Sequence, residues 1–536
     1  MSRIAARRNG VTALAATVVA IGLTAVAPAG ADTVPAAPIQ TSGPAPTVPA
    51  YVGAPFKARP VAGVRPAWQH PLMAANPKNG VHNDAWQTDN YTQFGGPLGR
   101  SPKTLSTGFG RTCITLTFDR KGRLIGSCTN LGQGPALYLL DPATLDTLAF
   151  LQLPFVPPPA GTNPALNTTG GAYFYLDHRD RVVVATADRR ILVIAEDDSG
   201  ASPAFQQVAS FDPTPCLQPG ERMPSTLPDT QGRYWFVGRT EGTVGVLDPK
   251  TGKCGSVVLH EEIENSFAVA GDGIYIVSDK AMYKFTAGAD LKPKARWSQR
   301  YANSGLTKPG QINAGSGTTP TLLWPAGAKK GSTAPGFVAI TDNADPMAVV
   351  VYRAGNRLAK GQKRRVCSIP VFGRGASDTE NSLIAMGRSL IVENNYGYDL
   401  QKWNDIIGGG TQIGGDLNQV SSPDMVRVDI NATGTGCKVV WRNTTVAAPS
   451  VVSKGDSANG LIYTFENVKD PSGADPWYWS ALDYRTGKVA WKQLAGWGGL
   501  YNNHYAGIAI GQNANTRKPT LYLGGVGGVM ALRDGS

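Results

Sequence analysis

The sequence predicts an all-β chain folded as a β-propeller. Three observations carry that prediction. Helical periodicity is nearly absent. Short runs of β-branched and aromatic residues recur, cut by Gly, Asp-Gly and Asp-Pro turns. These runs fall into successive groups of four, each group roughly 45–70 residues long, which is the signature of propeller blades.

The groups follow one another along the chain. The first is CITLTFD (113–119), RLIGSCTN (123–130), ALYLLD (136–141) and TLAFLQL (147–153). The second begins at AYFYLD (172–177) and the third at PSTLPD (224–229). The fourth begins at SFAVAGDG (266–273), the fifth at GTTPTLL (317–323), the sixth at NSLIAM (381–386) and the seventh at PSVVSKG (449–455). The eighth holds only AGIAIG (506–511), TLYLGG (520–525) and VMALRD (529–534). A segment within 66–110 is therefore expected to supply its outer strand, which ties the chain ends together and removes an open sheet edge. Eight blades are expected. Seven, with one group peripheral, is the alternative.

The N-terminus reads as an export signal. Arg3, Arg7 and Arg8 form a basic head, residues 11–26 are apolar, and Ala29-Gly30-Ala31 is an A-x-A cleavage site. The expected organisation is a signal over 1–31, a Pro/Ala-rich extended tail or linker over 32–66, a closing segment over 67–104 and the propeller over 105–536. Secretion is the expected destination. No later apolar run is long enough to span a bilayer.

The 51 Lys and Arg against 39 Asp and Glu give +12, and a cleaved signal leaves +9. That balance favours loose contact with anionic surfaces. Export argues against a nucleic-acid partner. The densest basic run, Lys360 to Arg365, reads as a solvated hairpin tip. A monomer with a small-molecule or glycan ligand is expected. An even cysteine count in an exported chain suggests disulfides. Neighbour pairing (Cys113 with Cys128, Cys216 with Cys254, Cys367 with Cys437) is the preferred set.

Polar residues gather where the strands face one mouth of the channel. If a to d name a blade's strands from the axis outward, the start of a and the end of b share one face. At the start of a stand Glu264-Asn265-Ser266, Glu380-Asn381-Ser382 and Asn503-His504-Tyr505. At the end of b stand Asp279, Asp342-Asn343, Glu393-Asn394 and Glu466-Asn467. Carboxylates beside carboxamides are oxygen donors, a set suited to Ca²⁺. The metal candidates are Glu264, Asn265, Asp342, Asn343, Glu393 and Asn394. Each also has a bland reading, since Asn and Asp close turns by bonding backbone N–H groups.

The catalytic candidates are His504, Glu393 and Glu466, as general base or as a carboxylate pair. Residues 394–421 make an unusually long Gly-rich connection on the same mouth. Its Tyr396, Tyr398 and Trp403, with Asn503, are the substrate-binding candidates. A surface excursion is the alternative. NPKNGVHNDAWQTDNY (76–91) either closes the ring or plugs the channel. Its His82 and Asp84 serve a site or a structural network.

ALDYRTGKVAW (481–491) resembles the tryptophan-docking motif of quinoprotein-type propellers, with Ala481, Asp483, Thr486, Gly487 and Trp491 matching. VLDPKTGK (246–253) and RVDINATGTGCKVVW (427–441) are weaker echoes. The resemblance implies the PQQ-like eight-bladed propeller superfamily, over most of 105–536. That family's dehydrogenases hold pyrroloquinoline quinone under a vicinal disulfide. This chain has no Cys-Cys, so PQQ is not the expected cofactor. The polar mouth is instead similar in chemistry to the calcium sites of propeller lactonases. Three functions remain open: a calcium-assisted hydrolase or lactonase, a non-catalytic glycan- or envelope-binding propeller, and a quinoprotein-like oxidoreductase.

Overall fold

The computed structural model describes residues 37–130, 134–157, 167, 169–398, 421–512 and 518–535. The expected signal, Trp403 and most of the 394–421 connection lie outside them. Among the described residues, helix is limited to the 3-10 turns Thr214–Cys216 and Gly499–Tyr501. The remaining elements are strands, arranged in eight sheets that each carry a four-stranded blade. The chain is an eight-bladed β-propeller.

In chain order the blades span 112–152, 174–211, 226–258, 268–300, 321–370, 384–443, 454–497 and 509–533; they are numbered 1 to 8. The outer strand of blade 8 is Lys103–Gly108, paired antiparallel with Gly528–Arg533. The N-terminal region thus closes the ring, as the three-strand last group requires.

The inner strands are shorter than the sequence pattern suggests. Ala268–Ala270, Ile384–Met386 and Lys454–Asp456 are three residues each, starting two to five residues later than read. Neighbouring blades converge at the axis, so the preceding residues bend inward and bond elsewhere. The Glu380 amide, for example, donates to Asn395 Oδ1 at 2.8 Å rather than to a strand partner.

Residues 73–91 plug the channel. Their carbonyls are taken in turn by successive inner strands: Ala85 O by Val269 of blade 4, Trp86 O by Leu322 of blade 5, Thr88 O by Ala385 of blade 6 and Asp89 O by Gly455 of blade 7. Asn90–Tyr91 then adds as a parallel strand inside blade 7. Left-handed backbone at Asn83, Gln87 and Asp89 (φ +74°, +57° and +52°) lets the segment turn this tightly. His82 and Asp84 serve the plug's own network. His82 Nδ1 lies 2.9 Å from Asp89, whose carboxylate also pairs with buried Lys454, and Asp84 accepts the Trp86 amide at 2.9 Å.

Residues 37–66 are extended but anchored. Tyr51–Gly53 pairs along blade 7's outer strand, Val489–Trp497. The amides of Thr47 and Val48 bond Asp470, at 2.8 and 2.9 Å. Arg59 bridges to Asp483 at 2.6 Å.

Indole rings dock one blade on the next. Trp441, on the last strand of blade 6, donates to Tyr484 O of blade 7 at 2.8 Å, and its ring covers Gly487. A Cβ on Gly487 would sit 2.5 Å from that ring. Trp491 covers Gly99 in the same manner. Trp297 of blade 4 reaches Ala354 O of blade 5 at 3.3 Å.

All three expected disulfides are present. Cys113–Cys128 crosses the first hairpin of blade 1, Cys216–Cys254 ties the lead-in of blade 3 to its outer strand, and Cys367–Cys437 joins the outer strands of blades 5 and 6. They are consistent with an oxidising, extracytoplasmic setting. Among the described residues no helix is long and apolar enough to cross a membrane.

Candidate functional site

The two E-N-S tripeptides precede the inner strands of blades 4 and 6. Because those strands start late, Glu264 and Glu380 sit on inward-bent chain at the axis. Their carboxyls lie within hydrogen-bonding reach of each other, both side chains almost fully buried. Burial, then the neighbouring Glu264 charge, pushes the Glu380 carboxyl well above the carboxylate range. Two carboxylates this close resist ionising together.

Phenols surround the pair. Tyr173 donates to Asn265 Oδ1 at 3.2 Å, and Asn265 Nδ2 reaches Ser316 O at 3.5 Å. Burial and the charges of Glu264 and Glu380 hold the Tyr173 hydroxyl firmly protonated. Tyr505 is raised by burial and by Glu380, and donates to Gly310 O at 2.7 Å. Gly310 belongs to the blade 4–5 connection, which crosses the mouth and brings the Ile312 amide to Glu380 Oε2 at 3.2 Å. Tyr398 packs edge-on against Tyr505 at 5.5 Å, and its hydroxyl meets His504 Nδ1 and Asn502 Oδ1, each at 3.1 Å. His504 and Tyr505 share left-handed backbone, φ +39° and +60°, which turns both rings onto this wall.

Several buried polar atoms here have no hydrogen-bond partner among the described residues. They are both oxygens of Asp378, Glu380 Oε1, Asn381 Oδ1 and both amide atoms of Asn503. Asp378 is fully buried, and burial raises its carboxyl well above the usual range despite Lys308 nearby. Leaving such groups unmatched costs about 1–3 kcal/mol each. A site that takes a polar ligand is where that cost is tolerated.

The structure gathers Glu264, Asn265, Tyr398 and His504 around this mouth, with Asn503 beside them in chain. The other candidates have local duties. Asp342 accepts the amides of Ala344 and Ala348, at 3.2 and 2.7 Å, closing a turn. Asn343 Nδ2 ties down Asn303 and Leu306, at 3.1 and 2.9 Å. Asn394 Oδ1 receives the amides of Asp378 and Tyr396, at 3.3 and 3.2 Å. Tyr396 itself is half-buried beside that turn. Glu393 accepts from Asn381 at 3.0 Å and from Ser453, and burial pushes its carboxyl up to about 8. Glu466 pairs with Lys492 of its own blade at 2.7 Å.

Sequence reasoning placed Glu380 and Tyr505 at the polar mouth without assigning them a role, and did not nominate Asp378 or Tyr173. The repeated E-N-S was the available signal for Glu380. Tyr173 carried none, because its reach to the axis depends on where strand a of blade 2 begins.

Among the described residues no group of three or more His, Cys, Asp or Glu side chains is arranged to hold a metal ion. The oxygen donors that do come together are the carboxyls of Glu264 and Glu380, and Asn381 follows Glu380 in the chain.

No protein-family model matches the chain, and no curated protein matches it. Solved structures do. A catalytically inactive virginiamycin B lyase from Staphylococcus aureus, bound to quinupristin, is 8% identical, with 81% of this chain and 99% of that one covered and a TM-score of 0.35. A Lactobacillus plantarum protein is 14% identical, covering 64% and 87%, with a TM-score of 0.38. Sqt1 of Saccharomyces cerevisiae is 9% identical, covering 66% and 93%, with a TM-score of 0.36. At these identities the likeness says nothing of substrate or activity.

Proposed function

We propose that the protein is a hydrolase of small esters or lactones, acting at the channel mouth through Glu264 and Glu380. The observation that supports this is the buried carboxyl pair, in hydrogen-bonding reach, with the unpartnered Asp378 carboxyl close enough to act on Glu380. In this reading Glu264 takes a proton from water as the water oxygen attacks the carbonyl carbon. A buried phenol, Tyr173 or Tyr505, steadies the oxyanion. Glu380 delivers its proton to the departing alkoxide as the C–O bond breaks. Proton exchange with solvent then restores the pair. The test is an ester and lactone panel with wild type, Glu264→Gln and Glu380→Gln. Loss of at least a hundredfold in kcat/KM, with melting unchanged, supports the reading. Equal turnover by all three removes it.

A second reading keeps the same residues and adds Ca²⁺. Two carboxylates and amide oxygens form a hard, oxygen-only donor set, and a bound ion would polarise a substrate carbonyl. Glu264 and Glu380, with the neighbouring Asn381, would hold it. Elemental analysis with melting curves before and after chelation separates the readings. A stoichiometric ion lost in Glu264→Gln favours calcium; no ion and no shift favours the proton-sharing pair. Ligand binding without turnover would favour a binding propeller. Kinship with PQQ-like propellers is supported by the motif at 481–491 and by the docking of Trp441 on Gly487. The disulfides and the sequence of residues 1–31 support secretion.

A further inference from the structure

The face opposite the mouth carries a second concavity. Two hollows of about 580 and 370 Å³ share Pro325, Ala326 and Arg388, so they form one continuous trough. It is built from the a–b turns of blades 5 and 6, the c–d turns of blades 5 to 7 and the anchored tail near Arg65.

Its charge is one-sided. Arg65, Arg353, Arg357, Arg388 and Arg427 line it, against one carboxylate, Asp429. Asp429 is already held by both arms of Arg427, at 2.8 and 2.7 Å. Arg353 is fixed by Lys363 O and Gly434 O, at 3.1 and 2.9 Å. Arg357 and Arg388 are exposed and have no side-chain partner among the described residues. The hairpin behind them, 353–365, holds six Lys and Arg and no acid. Unspent guanidinium forks beside fixed ones match carboxylate, sulfate or phosphate groups repeated along a chain.

The shape narrows the class. No exposed large apolar side chain among the described residues lines the trough, so nothing there would enter a bilayer. Its aromatic faces are already covered: Arg65 lies 4.8 Å over Trp324 and Arg427 lies 4.0 Å over Tyr484. Stacking platforms for nucleic-acid bases are therefore missing. We propose that this trough binds an acidic polysaccharide, through Arg357 and Arg388, independently of the chemistry at the mouth.

The experiment measures binding of the full chain to immobilised heparin and polygalacturonate across a salt series. Dextran, a single-stranded oligonucleotide and anionic vesicles serve as comparison surfaces. Arg357→Glu with Arg388→Glu is compared with a charge-matched control, Lys250→Glu with Lys253→Glu, two exposed positions on blade 3. The expected result is salt-sensitive binding to an acidic glycan, weakened at least tenfold by the arginine pair and little by the control, with melting curves unchanged. Equal loss in the control reduces the effect to bulk charge and overturns the proposal. So does undiminished binding by the arginine variant, no binding to either glycan, or tighter binding to the oligonucleotide or the vesicles.

Discussion

Glu264 and Glu380 lie on blades 4 and 6, yet their carboxyls meet at the axis within hydrogen-bonding reach. A whole blade separates them along the ring. They meet because each stands before a shortened inner strand and is carried inward. The pair predicts non-additive energetics. Single Gln substitutions and the double variant, compared by urea denaturation, are expected to show a coupling of roughly 0.5–3 kcal/mol. Strict additivity would mean that the carboxyls do not share a proton.

Glu393 predicts a pH dependence. Its folded carboxyl is raised from 4.5 to about 8, chiefly by burial. The folded state therefore holds this proton more tightly than the unfolded chain does. The stability it contributes is complete below about pH 4.5 and is lost as pH climbs through about 8. The slope from this group reaches at most about 1.4 kcal/mol per pH unit. Glu393→Gln, a neutral near-isostere, is expected to flatten the melting-temperature profile between pH 5 and 8.

The plug predicts a large cost for one small change. Asp89 is fully buried; burial would raise its carboxyl, but His82 and Lys454 outweigh that and hold it below the usual range. Asp89→Asn leaves Lys454 buried without its counter-charge. The expected loss is about 3–5 kcal/mol. Asp89→Asn with Lys454→Met is expected to recover much of it, read by denaturation midpoints and by protease cutting within 73–91.

Blade docking predicts a paired sensitivity. Trp441→Ala removes an indole that is 8% exposed and is expected to cost about 3–5 kcal/mol. Gly487→Ala meets the same ring from the other side. Gly487 has φ +68°, so a Cβ there is strained as well as crowded. Together the two changes should cost less than their sum, because they disrupt one contact. Calorimetry of the three variants checks this.

Much of the architecture was legible because strand runs, turn residues and four-strand grouping are local properties. CITLTFD and RLIGSCTN announce a hairpin through alternation and turn chemistry alone, and that hairpin brings Cys113 to Cys128. The missing fourth strand of the last group pointed to an N-terminal donor, which is Lys103–Gly108. The inner-strand starts were not legible. PSVVSKG reads as a strand from 449, but the paired residues are Lys454–Asp456, since crowding at the axis sets that boundary.

The sequence by itself determined the repeated four-strand groups and the need for an N-terminal closing strand, because a repeated hydrophobic alternation demands repeated sheets; the structure decided eight blades over seven. The sequence also determined which residue types could serve a polar mouth. Only the tertiary structure decided which of them meet. Glu393, Glu466 and Asp342 looked equal to Glu264 in the chain, and each is spent on a local partner. Glu264 instead finds Glu380, from a blade two places away. Proximity across the axis depends on strand ends, the plug and the crossing connection together, and no local pattern encodes that sum.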